Sequence, residues 1–94
     1  DLRLRTVHTP GHTPGSISFA LENTPLLFTG DTLFPGGPGN TALEGGDFAT
    51  IIASIEERVF RVFTAATTIW PGHGAPSTVG QESPHLDEWV ERGW

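Results

Sequence analysis

Ninety-four residues suffice for one small domain with a modest core. A net charge of −6, no lysine and five scattered arginines exclude a nucleic-acid groove, and no apolar run nears the ~20 residues of a membrane span. The lack of cysteine excludes disulfides and thiolate metal sites.

The chain has no methionine, and Asp1 opens what reads as a strand already in progress. The expectation is a chain that begins inside a longer protein, with initiator removal or numbering from a mature terminus as the alternative. Leu2, Leu4 and Thr6 alternate with Arg3, Arg5 and Val7, which predicts a half-buried strand. Pro10, Gly11, Pro14 and Gly15 then force a loop over residues 8–15. Ile17, Phe19 and Leu21 alternate with Ser16, Ser18 and Ala20 as a second strand, and residues 22–25 are turn chemistry. Leu26, Leu27 and Phe28 form a short apolar run, as in a strand covered on both faces. Together these predict a hairpin ending at Thr29, Gly30 and Asp31.

Residues 34–46 are rich in glycine and proline, and a loop of that length in a small domain is often functional. Asp47 can cap a helix whose Phe48, Ile51, Ile52, Ile55, Val59 and Val62 share one face. Glu57 and Arg61 have the i,i+4 spacing of a helical ion pair. Residues 67–70 read as a further strand, stopped by Pro71 and Gly72; Ser83 with Pro84 opens a last short helix that ends at Gly93.

One pattern recurs: an apolar strand, an abrupt glycine or proline break, then a side chain able to hold a metal. It occurs at His12, Asp31 and His73. Strands lying side by side would bring all three to one rim, and ligands that must sit about 2.0–2.2 Å from an ion come from separate elements. Neighbouring glycines permit the tight turns, and prolines stiffen the loops. Taken singly each residue has a plainer reading: a solvated loop histidine, an Asx turn at Asp31, a turn residue at His73. His8 competes with His12, but it directly follows the strand and its plainer reading is a hydrogen bond with the loop. His85, near the start of the last helix, reads as surface or substrate-side.

The segments "HTPGHTPGS", "FTGDTLF" and "WPGHG", with the "GGDF" helix start and the "PGHGAPSTVGQE" tail, resemble the second half of a metallo-β-lactamase-fold hydrolase, nearest the glyoxalase II-like (hydroxyacylglutathione hydrolase-like) branch. The resemblance covers nearly the whole chain. It implies an α/β fold, half of a four-layer αβ/βα sandwich, with a sheet of four to five strands and helices on one face. It implies a single domain over residues 1–94, the C-terminal portion of such an enzyme, with a cytoplasmic location. His12 would then bind one metal, Asp31 would bridge two and act as the catalytic carboxylate, and His73 would complete the second site. The family's first half carries an HxHxDH motif with most of the remaining ligands, and nothing like it occurs here. Asn40 stands where glyoxalase II-like sequences often carry an arginine, and with His85 it is the candidate for contact with substrate.

The implied chemistry is hydrolysis of a small-molecule thioester by a hydroxide shared between two divalent ions, zinc first, with iron or manganese as alternatives. This chain alone should hold metal weakly and hydrolyse little. Half a sandwich also exposes a sheet face, so the expected partner is the missing N-terminal half or a second copy of the chain; no nucleic acid or membrane is expected. The competing readings are a non-catalytic metal-binding or interaction module that keeps half of the fold, and an ordinary α/β domain with coincidental loop histidines. Intact candidates at all three positions favour the enzyme.

Overall fold

The computed structural model describes residues 3–94, so Asp1 and Leu2, and with them the start of the first strand's alternation, lie outside the described residues. Five strands form one mixed sheet in the order β1-β2-β3-β6-β7. These are β1 (Leu4–His8), β2 (Ile17–Leu21), β3 (Leu26–Gly30), β6 (Thr68–Pro71) and β7 (Ser77–Thr78). Between β3 and β6 the chain makes a two-residue-per-strand hairpin, β4 (Leu33–Phe34) with β5 (Gly37–Pro38), which begins one residue before the loop expected over 34–46. Helix α1 (Phe48–Ser54) follows and runs on as a π-helical segment, Ile55–Phe60. The C-terminal helices start earlier than Ser83: α2 (Val79–Glu82) is capped by the Thr78 hydroxyl, a 3-10 turn (Ser83–His85) follows, and α3 (Leu86–Arg92) ends at Gly93, φ 87°.

Pairing fixes which ends share a rim. β1 is antiparallel to β2, β2 is antiparallel to β3, and β3 is parallel to β6. β1, β3 and β6 therefore point the same way, and the loops that leave their C-terminal ends emerge along one edge of the sheet. Those loops carry His12, Asp31 and His73.

The register also divides the two faces. Ala20, Leu27 and Ile69 lie in one cross-strand row and are buried, as is Ser18 beside Val7. Ile51, Ile55 and Val59 of the first helix, with Val79, Leu86 and Trp89 of the last two, cover that face. Fully burying one such aliphatic chain is worth about 1.5–3 kcal/mol. The opposite face carries the row Thr6, Phe19, Phe28 and Trp70, in which the three aromatics are 39%, 39% and 42% exposed.

Several expectations are corrected here. β3 is covered on one face, since Leu27 is buried and Phe28 is not. The apolar alternation of β2 points to the open face, while Ser18 and Ala20 face the helices, because small side chains let the helices sit close. β1 is an edge strand, and Leu4 is 56% exposed. Val62 is exposed rather than part of the helical stripe. Arg61 pairs with Glu56 at 3.9 Å and not with Glu57. The π-helical turn explains this: the Arg61 amide bonds the Glu56 carbonyl, i→i+5, so Glu56 lies under Arg61. The pair is solvent-exposed and contributes little.

Candidate metal centre

Each candidate is set on a loop tied down at several points. The loop after β1 is pinned to the first helix: Pro10 accepts from the Ser54 hydroxyl at 2.7 Å and Gly11 accepts from the Asp47 amide at 2.7 Å. His8 ends β1, and its Nε2 donates to the Pro14 carbonyl of its own loop at 3.0 Å, since a carbonyl only accepts. Asp47 caps α1 as expected, accepting from the Thr50 amide at 2.9 Å. Its carboxyl is held below the ordinary value of 3.8, first by the Thr50 hydroxyl and then by the Thr50 amide.

Under the rim lies a buried hydroxyl cluster that sequence reasoning missed. Thr9 Oγ1 is 3.0 Å from Ser18 Oγ and 3.2 Å from Thr32 Oγ1, and all three residues are at most 1% exposed. It stitches the His12 loop to the turn after Asp31. Nothing in the sequence separates a buried threonine from the loop threonines around it. Two glycines let the remaining loops close in. A Cβ on Gly39 would run into the Asp31 carbonyl oxygen, and one on Gly72 would stand 3.2 Å from Asp31 Oδ1. Gly72 also donates to the Gly30 carbonyl at 2.7 Å, joining the β6 exit to the β3 exit.

The result is a small cavity of about 190 Å³ lined by His12, Asp31, Phe34, Asn40 and His73. A larger surface cleft of about 400 Å³ along β1, lined in part by Arg5, His8 and Arg58, contains none of the three candidates. His12 Nε2 is 3.7 Å from Asp31 Oδ2, and His73 Nδ1 is 3.6 Å from Asp31 Oδ1. One carboxylate thus presents each oxygen to a different imidazole. Both gaps exceed a hydrogen bond. They lie near the ~3.4 Å expected between two donors that share one tetrahedral ion at about 2.1 Å. Among the described residues no three His, Asp or Glu side chains converge on a single ion; the arrangement is two pairs with Asp31 common to both.

The His12 ring is oriented by its other nitrogen. Nδ1 is 2.6 Å from the Asn40 carbonyl, which can only accept, so Nδ1 carries a proton. In the neutral ring Nε2 then presents its lone pair towards Asp31. Asn40 therefore enters the site through its backbone. Its side-chain Oδ1 accepts from the Ala42 amide at 2.8 Å, in a local turn. Phe34, also missed in the sequence, packs its ring 4.9 Å from that of His73 at 47°; its place straight after the Asp31 turn was the available signal. His85 is not among the cavity's lining residues. Its Nδ1 pairs with Glu88 at 2.9 Å on the helical surface.

Comparison with known proteins agrees with this architecture. Residues 1–73 match the metallo-beta-lactamase superfamily, and the chain belongs to that superfamily. It is 43% identical over 76 residues to hydroxyacylglutathione hydrolase GloC of Haemophilus influenzae, a match that covers 81% of this chain and 35% of that protein. The structure of the BLEG-1 B3 metallo-beta-lactamase superposes with a TM-score of 0.82 at 40% identity, over 88% of this chain and 39% of the other. TTHA1623, solved in a di-iron-bound form, superposes with a TM-score of 0.79 at 34% identity, over 85% and 39%. The chain spans little more than a third of the length of each of these relatives. Among the described residues no helix is long and apolar enough to cross a membrane.

Proposed function

We propose that this chain is the C-terminal portion of a dinuclear metal hydrolase that cleaves thioesters of the hydroxyacylglutathione kind, and that His12, Asp31 and His73 are its share of the ligands. One observation carries the reading. The His12 ring gives its Nδ1 proton to the Asn40 carbonyl and turns its Nε2 lone pair on the Asp31 carboxylate, while His73 faces the other oxygen. With the ring neutral, a lone pair and a carboxylate face to face repel, and a metal cation between them turns that repulsion into shared coordination. The donor set of two imidazoles and a carboxylate fits zinc, iron or manganese; zinc is preferred, and the di-iron form of TTHA1623 supports iron as the alternative.

When bound, two such ions supply an acidified water and polarise the scissile carbonyl. The chain's own residues orient and confine. The Asn40 carbonyl fixes the His12 ring, Phe34 limits the swing of His73, and Asp31 divides its two oxygens between the pairs. A cavity of about 190 Å³ accommodates a reacting carbonyl and its nearest substituents but not a glutathione-sized molecule. The rest of the substrate lies beyond this chain. The identity to GloC supports the thioester. The open face with Phe19, Phe28 and Trp70 fits the remainder of the sandwich as its cover, and on this reading turnover requires that remainder. That same face favours a second reading, a non-catalytic interaction module.

Turnover separates the two. The full protein, loaded with zinc or iron, is assayed against S-lactoylglutathione, a phosphodiester and a β-lactam. Thioester hydrolysis well above the other two is expected. Metal-loaded protein that leaves the thioester untouched removes the substrate assignment, and loss of all three activities favours the interaction module.

A further inference from the structure

The wall of the cavity that carries Phe34 is the β4–β5 hairpin, and two residues per strand cannot hold themselves in place. Its tip is gripped from elsewhere. The Gly36 amide donates to Glu82 Oε1 at 2.8 Å, and the Gly36 carbonyl accepts from an Arg92 guanidinium nitrogen at 3.1 Å. Glu82 is 7% exposed, and its second oxygen accepts from the Ser77 hydroxyl at 2.5 Å. Among the described residues it has no ion-pair partner, so a carboxylate is buried on hydrogen bonds alone, an arrangement that carries a desolvation cost. Arg92 reaches close to the hairpin: a Cβ on Gly37 would be 2.8 Å from its terminal nitrogen. It is steadied in turn by the Trp94 carbonyl at 2.8 Å and the Trp94 ring at 3.8 Å.

We infer that Glu82 and Arg92 are positioning residues for the metal centre: they clamp the two polar groups of Gly36 and, through the short hairpin, set Phe34 against His73. The inference rests on the reading of His73 as a ligand. Neither residue lines the cavity. Both belong to the C-terminal helices, which gives those helices a part in the site as well as in the core.

The test uses the full protein, zinc-loaded, in four forms: unaltered, Glu82→Ala, Glu82→Gln and Arg92→Ala. Two signals are read by NMR, the hydrogen exchange of the Gly36 amide and the ring proton shifts of His73, which feel the ring current of Phe34. In Glu82→Ala and Arg92→Ala, Gly36 exchanges faster by about tenfold or more, and the His73 shifts move towards those of a Phe34→Leu control. Glu82→Gln stays near the unaltered protein, because its amide oxygen still accepts from Gly36. A role confined to stability would lower the unfolding midpoint and leave the His73 signals in place, which overturns the inference, as does a Gly36 amide already unprotected in the unaltered protein. Arg92 is exposed, so Arg92→Ala decides the matter if Glu82→Ala fails to fold. Metal content is measured in parallel. An unaltered protein that takes up no zinc sinks the ligand reading, while the His73 shifts still judge the clamp.

Discussion

His12 Nε2 faces Asp31 Oδ2 at 3.7 Å, while the other nitrogen of the same ring, Nδ1, donates to the Asn40 carbonyl at 2.6 Å. On the proposed reading the pair shares a cation, and the arrangement is made by backbone geometry. The rim loops of β1 and β3 are joined by the Thr9, Ser18 and Thr32 hydroxyls, and the segment carrying Asn40 passes against Asp31 because residue 39 has no side chain.

The tautomer is directly observable. At about pH 8, where an ordinary imidazole is neutral, nitrogen NMR should show His12 protonated at Nδ1 and bare at Nε2 in the metal-free protein. Asn40→Ala should leave that signature intact, since the acceptor is the main-chain carbonyl. A protonated Nε2 in the unaltered protein contradicts the site as described.

Asp47 gives the first helix a pH dependence of known sign. Its carboxyl is lowered in the folded chain by the Thr50 hydroxyl and amide, so the folded state prefers it ionised. Its contribution is complete above the ordinary carboxyl value of 3.8 and is lost as the pH falls through the lowered folded value. Thermal melts of Asp47→Asn against the unaltered protein should differ at neutral pH and converge in strong acid. A difference that persists unchanged at low pH argues for a role other than the charged cap.

The open sheet face predicts association. Phe19, Phe28 and Trp70 are neighbours in one cross-strand row, and exposed apolar patches beyond a few hundred Å² mark interfaces. The 94-residue chain should self-associate in sedimentation experiments or bind the remainder of the sandwich when that is added. Replacing Phe19 and Phe28 by serine should weaken either interaction at least about tenfold, given ~1.5–3 kcal/mol for each buried aromatic. A stable monomer that ignores the added half would count against the assigned cover.

How far the sequence could be read differs from one feature to the next, for physical reasons. The strand ends were legible to within a residue because Pro10, Pro14 and Pro71 have no amide to donate to a ladder, and Pro71 is itself the last residue of β6. The helix start at Asp47 was legible because an N-cap is a local interaction. The burial of β2 was not. Alternation shows that one face is apolar, but not which layer covers which face, and here Ile17 and Phe19 look outward while Ser18 and Ala20 meet the helices. The π-helical turn that pairs Glu56 with Arg61 has no signature in spacing. At the site, the convergence of His12, Asp31 and His73 followed from strand direction and punctuation. The part played by the Asn40 main chain did not, since any residue could have supplied that carbonyl. His85 illustrates the reverse, a suggestive residue that its own helix engages through Glu88.

Metal analysis of the full protein beside its Asp31→Ala variant tests the central claim most directly. The account predicts two ions per unaltered molecule and a variant that loses most of both, because one carboxylate serves each pair. A correctly folded variant that keeps two ions and full turnover would contradict it.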